Sequence, residues 1–273
     1  MKDRAVRIMD VLANNKSIKS SMLAEMIDVS HVTLRKDLDS LEKHGIIRRA
    51  HGYISLDEDN NISKRLAFNY SIKRKIAAAA VQTIEDDETV MIESGSCCAI
   101  FAEELLLSKK NVTIITNSVF IANYTHHLPK VKIILLGGCF QPESQTLIGS
   151  MTTICAKHFY IDKFFLGTDG FNPQKGFTGN DYLCVETASD LTNHVKQVYM
   201  LTESNKFNHC GTYVMVEFDK ITGVFTDDKI PKEAETSLIR NNVQLHKVSA
   251  VEEKIKWRKF PGQPPILYTD KGE

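Results

Sequence analysis

The sequence predicts an α/β protein: a small N-terminal winged helix-turn-helix domain, then a doubly wound, mostly parallel α/β domain. Three observations predict it. Three short helical patterns and two β-prone runs fit within residues 1–56. A polar break, Asp57-Glu58-Asp59-Asn60-Asn61, follows them. From residue 64 to about 250 the chain alternates β-rich runs with helical segments, the pattern of a parallel sheet covered by helices. The expected division is 1–56, a linker at 57–63, the α/β domain at 64–250 and a tail at 251–273.

Composition excludes several classes. The 273 residues carry 34 Lys+Arg and 34 Asp+Glu, so a uniformly basic coat is ruled out while a local basic surface is not. No apolar run approaches the roughly 20 residues of a membrane span. Met1-Lys2-Asp3-Arg4 lacks an apolar signal core, so a cytoplasmic location is expected. The six cysteines form no Cys-x-x-Cys pair, and no histidine stands at finger spacing, so free and mostly buried thiols are expected, with no metal and no cofactor.

In the first segment, Val6, Ile8, Met9, Val11 and Leu12 form a helical stripe ending at Asn14-Asn15. Ser20 or Ser21 caps a second helix through Met22, Leu23, Met26 and Ile27. Ser30 caps a third, with Leu34, Leu38 and Leu41 on its buried side and Gly45 at its end. Ile46-Ile47-Arg48 and Tyr53-Ile54-Ser55 then make a hairpin turning at His51-Gly52. On the third helix, Ser30, His31, Thr33, Arg35, Lys36 and Asp39 lie off the buried face, mostly toward the N-terminal half. That half of a recognition helix meets base edges in the major groove while Lys and Arg neutralise phosphates. Arg48 and Arg49 lead into the wing, where they could grip the backbone or a minor groove. By count, residues 1–56 hold 10 Lys/Arg against 7 Asp/Glu, a modestly basic segment.

An amphipathic helix is expected over 64–84, with Lys73, Arg74 and Lys75 on its polar side. Strands are expected at 89–92, 112–115, 132–136, 164–166, 198–201 and 223–226, and helices at 97–107, 118–127, 150–159, 183–196 and 231–241. In such sheets ligands sit beyond the carboxyl ends of the strands. Small and polar residues recur there: Glu93-Ser94-Gly95-Ser96, Thr116-Asn117-Ser118, Gly137-Gly138, Gly167-Thr168-Asp169-Gly170 and Glu203-Ser204-Asn205-Lys206. Glycine allows close backbone approach, and helix N-termini attract anions. Hydroxyls and the Lys206 ammonium add donors suited to a sugar phosphate. Neither a Walker-type loop nor Gly-x-Gly-x-x-Gly is present. His126-His127 fits a helix-end surface pair, and Trp257 lies in a basic tail.

These residues resemble a known family. Val29-Ser30, Thr33-Leu34-Arg35-Lys36-Asp37-Leu38, Leu41-Glu42, Gly45 and Arg49-Ala50-His51-Gly52 resemble the DNA-binding segment of the DeoR family of bacterial repressors. Ile115-Thr116-Asn117-Ser118, Leu136-Gly137-Gly138, and Phe165-Leu166-Gly167-Thr168-Asp169-Gly170 with Gly176 and Thr178 following, are similar to that family's sugar-phosphate sensor domain, which is similar in fold to ribose-5-phosphate isomerase. The resemblance, over about residues 1–250, implies a repressor of a sugar or polyol catabolism operon, working as a homo-oligomer on an inverted repeat of double-stranded operator DNA. It adds His51 to the DNA-contacting set. It implies release by a phosphorylated sugar or polyol held by Glu93, Ser94, Gly95, Ser96, Thr116, Asn117, Ser118, Gly137, Gly138, Gly167, Asp169, Gly170 and Lys206. Glu93 and Glu203 stand where the family carries Asp, Cys97 where it carries a hydroxyl, and Tyr53 where it carries a second wing glycine.

Two other readings stay open. One is an active aldose–ketose isomerase with a DNA-binding appendage, with Glu93, Asp169 or Glu203 as base and Lys206 as oxyanion donor. The other is a constitutive DNA-binding protein whose α/β domain serves only for assembly. The expected protein is not an enzyme.

Overall fold

The computed structural model describes residues 2–13, 15, 17–43, 46–56, 61–128, 132–250, 256–258 and 266–268. Gly45, Asn14 and the polar break at 57–60 lie outside them.

Helix α1 (Lys2–Ala13), strand β1 (Ile18–Lys19), α2 (Ser20–Met26), α3 (His31–Lys43), β2 (Ile47–Ala50) and β3 (Tyr53–Leu56) build the N-terminal domain. Ile8, Met9, Leu12, Leu23, Ile27, Leu34, Leu38 and Ile54 are buried together. The Ser30 cap forms as expected: its Oγ accepts from the Thr33 amide at 3.2 Å. The second helix differs, because Lys19 precedes it and supplies no side-chain cap. Strand β1 was not anticipated; its two residues pair with β3 and make the hairpin a three-stranded sheet. Asp37 on α3 is buried and receives Arg4 Nε at 2.7 Å, which ties α3 to α1. His51 and Gly52 both take positive φ, 51° and 82°, so the wing turns in two residues and needs no glycine at Tyr53.

The single helix expected over 64–84 is two, α4 (Asn61–Ala67) and α5 (Tyr70–Val81), broken at Asn69 in the left-handed region (φ 52°). Lys73 is not on a polar face: it is 2% exposed and among the largest fully buried side chains. It follows Tyr70 by three residues and precedes Ala77 by four, the spacing of the buried stripe.

The α/β domain continues with β4 (Thr89–Ile92), α6 (Ser96–Ser108), β5 (Thr113–Thr116), α7 (Val119–Thr125), β6 (Ile133–Leu135), β7 (Cys139–Gln141), β8 (Thr146–Ile148), α8 (Ser150–Ala156) and β9 (Ile161–Leu166). Then come β10 (Gly170–Asn172), β11 (Gly176–Gly179), α9 (Tyr182–Thr192), β12 (Val195–Leu201), β13 (Tyr213–Val216), β14 (Gly223–Asp227), α10 (Lys232–Arg240) and β15 (Gln244–Val248). The seven-stranded sheet runs β15-β14-β12-β9-β4-β5-β6, with every pairing parallel. The chain starts in the middle at β4, winds outward through β5 and β6, then returns to β9 and winds the other way. Strand β15 is the one sheet member that the sequence reading missed, and the helix expected to 196 ends at Thr192 because β12 begins at Val195. Strands β10, β11 and β13 form a separate antiparallel sheet, and β7 and β8 form a hairpin. In the tail, β16 (Lys256–Arg258) pairs with β17 (Ile266–Tyr268).

Side chains alternate across the parallel sheet. Val90, Ile92, Ile114, Phe165, Tyr199, Leu201 and Phe225 pack with α5, α6 and the N-terminal domain in one continuous core. Met91, Ile115, Phe164, Leu166, Val198, Met200 and Val224 pack with α8, α9 and α10 in the other. Among the described residues no helix is long and apolar enough to cross a membrane. Of the cysteines only Cys97 and Cys98 are buried; Cys139 and Cys210 are exposed, which corrects the expectation of mostly buried thiols.

Candidate functional site

Two surfaces carry the chemistry. On the first, the buried stripe of α3 fixes its opposite side outward, leaving His31, Val32, Arg35 and Lys36 exposed. Val32 is 70% exposed, and sequence reasoning passed over it. Ser30 and Thr33 share a hydroxyl hydrogen bond of 2.9 Å at the helix start. Arg48 and His51 are exposed along the wing. Arg49, expected on nucleic acid, commits its guanidinium elsewhere: Nη2 meets Asp39 Oδ1 at 2.6 Å, and Nε donates to Glu42 Oε2 at 2.8 Å. It fastens the wing to the recognition helix.

The second surface is a cleft of about 1030 Å³ at the carboxyl ends of β4 and β9. These neighbours are where the winding reverses, the place an open parallel sheet leaves a crevice. The Glu93 amide donates to the Phe165 carbonyl at 2.9 Å, so the register of β4 on β9 sets the loops after them side by side. Glu93, Ser94, Gly95, Ser96, Gly167, Asp169 and Lys206 all line the cleft. At the start of α6 the Ala99 amide reaches back to the Gly95 carbonyl at 2.9 Å. The amides of Ser96, Cys97 and Cys98 therefore have no partner within the helix, and Gly95 offers no side-chain cap. That helix start faces the cleft with the positive end of its dipole.

Thr116, Asn117, Ser118, Gly137, Gly138 and Gly170 do not line the cleft, and their contacts show why. Thr116 Oγ1 donates to the Ile92 carbonyl at 2.6 Å, bracing β5 on β4. Asn117 Nδ2 donates to the Leu147 carbonyl at 3.1 Å, and Ser118 caps α7 by accepting from the Ile121 amide. Gly137 accepts from Thr152 Oγ1 at 2.8 Å. A Cβ on Gly138 would stand 2.2 Å from Thr152 Oγ1 and 2.9 Å from the Ile148 carbonyl oxygen. A Cβ on Gly170 would meet the His209 carbonyl at 2.5 Å. These residues shape the loops from behind.

The cleft also draws in Arg65, Lys73, Gln141, Asp181 and Cys184, which the sequence reading left out of the site, and Asn205, quoted in its loop but given no role. Asn205 Oδ1 is buried without a hydrogen-bond partner. Glu203, offered only as a base in the isomerase reading, lies 3.3 Å from Lys73 Nζ, and both side chains are buried. Asp169 accepts from the Asn180 amide at 3.0 Å. Burial pushes the Glu93 carboxyl up to about 7, aided by the nearby Asp169 charge and opposed by Ser94 and Arg65. Desolvation likewise drives the Cys97 thiol well up, so it stays a thiol. Glu203 had a signal in sequence, its place beside Lys206; Arg65 had none, because it lies outside the strand-end loops. Among the described residues no group of three His, Cys, Asp or Glu could hold a metal ion.

The fold and these two surfaces define a DNA-binding regulator whose second domain opens a cleft at the carboxyl ends of its central strands. The model of the DeoR-like helix-turn-helix domain matches residues 4–59, and that of the DeoR C-terminal sensor domain matches residues 68–228. The chain belongs to the DeoR family of transcriptional regulators. Similar proteins include a putative aga operon transcriptional repressor of Escherichia coli O157:H7, 25% identical over 89% of this chain and 92% of that one. The HTH-type transcriptional repressor GlcR of Bacillus subtilis is 27% identical over 89% and 95%, and the L-fucose operon activator of Escherichia coli K12 is 26% identical over 86% and 98%. Among solved structures, ribose 5-phosphate isomerase A of Methanocaldococcus jannaschii overlays with a TM-score of 0.39 and 17% identity, over 51% of this chain and 55% of that one.

Proposed function

We propose that the chain is a cytoplasmic repressor of a sugar or polyol catabolism operon, released from its operator by a phosphorylated sugar or polyol, and not an enzyme. One observation carries the effector reading: a helix start whose first amides have no partner within the helix, the Lys206 ammonium and five carboxylates share one cleft. The amides and Lys206 suit a phosphate. Glu93, Asp169, Glu203 and the unpartnered Asn205 Oδ1 suit the donors of a polyhydroxy chain. On DNA, Arg35 and Lys36 contact base edges or phosphates, and exposed Val32 is placed for a thymine methyl. One winged helix covers a short half-site, so the active form is an even-numbered homo-oligomer on an inverted repeat.

The test is operator release against sugar-phosphate concentration for wild type and Lys206→Ala. The variant is expected to bind operator normally and to fail to release it. Equal release curves would remove Lys206 from the site. Steady conversion of a sugar phosphate to its isomer would move the reading to the enzyme, for which Glu93, held near 7, is suited as a proton-transfer group.

A further inference from the structure

We propose that Arg65, on the helix that joins the two domains, is a second anion-binding residue of the cleft, and that α4 carries its occupancy to the DNA-binding domain. This rests on the effector reading above and concerns how the same site is completed and coupled.

The first support is what walls the cleft. Sensor loops close only part of it; Leu12, Ala13 and Asn15 at the end of α1, Leu56 at the end of β3, and Arg65 and Phe68 complete the lining. A ligand there is bounded by the DNA-binding domain itself. The second support is charge. Among the described residues the cations lining the cleft are Arg65, Lys73 and Lys206, against Glu93, Glu143, Asp169, Asp181 and Glu203. Lys73 is already engaged, donating to the Arg65 and Phe68 carbonyls and pairing with Glu203. A phosphate dianion among so many carboxylates needs more than Lys206. Arg65 is exposed, faces Glu93 electrostatically, and carries the planar fork that binds phosphate through two parallel hydrogen bonds.

The third support is the wiring of α4. Its C-terminal carbonyls are held by Lys73, and Lys73 is held by Glu203, three residues before Lys206. At its other end α4 follows the wing, and it packs against α1. An anion that draws Lys206 and Arg65 together therefore acts on both ends of one chain of contacts: Glu203, Lys73, α4, α1. The ligand shifts the domain arrangement to the extent that it binds one position of α4 better than the other.

The experiment uses the full chain as wild type, Arg65→Gln, Arg65→Lys and Lys206→Gln, with inorganic phosphate as the probe. Calorimetry reads binding, and hydrogen exchange reads the amides of residues 61–70. Wild type is expected to bind phosphate and to change its exchange over 61–70. Arg65→Gln should bind about tenfold more weakly and lose the exchange response, and Arg65→Lys should recover part of both. If Lys206→Gln loses phosphate but Arg65→Gln matches wild type in affinity and exchange, the linker assignment is overturned and the effector reading stands. If wild type binds no phosphate, or Lys206→Gln binds it equally, the effector reading falls and takes this inference with it.

Discussion

Lys73→Met removes a buried ammonium while keeping most of the side-chain volume. In the wild type Nζ stands 3.3 Å from Glu203 Oε1, with the two side chains 2% and 7% exposed. At an effective dielectric of about 20, that separation corresponds to about 5 kcal/mol of attraction, set against the cost of taking both ions out of water. Deleting one partner leaves the Glu203 carboxylate buried and uncompensated, and the expected loss is about 3–5 kcal/mol. The Arg65 and Phe68 carbonyls lose their donor as well. Lys73→Met/Glu203→Gln removes both charges and should recover at least half of that loss, because no lone ion remains. The assay is urea unfolding followed by circular dichroism for wild type, both single variants and the double, closed as a double-mutant cycle. A Lys73→Met variant within about 1 kcal/mol of wild type, or a cycle that closes additively, would refute the pairing and its part in holding α4.

Three further outcomes follow from the same geometry. Glu93 holds its proton to about 7 against an ordinary 4.5, so its protonated form contributes stability that is full below about 4.5 and lost as pH rises through 7. Glu93→Gln should therefore gain about 3 kcal/mol on wild type between pH 4.5 and 8, and parallel stability–pH curves for the two would contradict the burial argument. Arg49→Ala should cost about 1 kcal/mol, since its ion pairs with Asp39 and Glu42 are partly solvated, and should leave the salt slope of operator binding nearly intact. A loss of a full unit of slope would return Arg49 to a DNA phosphate. Gly138→Ala should cost about 2 kcal/mol or more, because the new Cβ meets the Ile148 backbone oxygen as well as Thr152; a melting temperature equal to wild type would show that the loop yields.

Periodicity alone determined much of this protein. The short apolar runs at 89–92 and 164–166, alternating with helical segments, marked strands of a parallel sheet. The Ser30 cap and the Leu34, Leu38, Leu41 stripe marked the recognition helix and its outward side. Those signals are local, carried by neighbours one to four residues apart. The cleft is not local. Loops after β4 and β9 meet because the parallel register places Glu93 on Phe165, 72 positions away in the chain only by sequence number and adjacent by hydrogen bond. Which loop residues then face the cleft depends on pairings across the sheet: Thr116 turns to Ile92, Ser118 to the start of α7, and Gly138 to Thr152. Lys73 fell on the polar side by its chemistry and on the buried side by its spacing. Only packing decided between them, because Glu203 and two carbonyls at the end of α4 were waiting in three dimensions to take its charge.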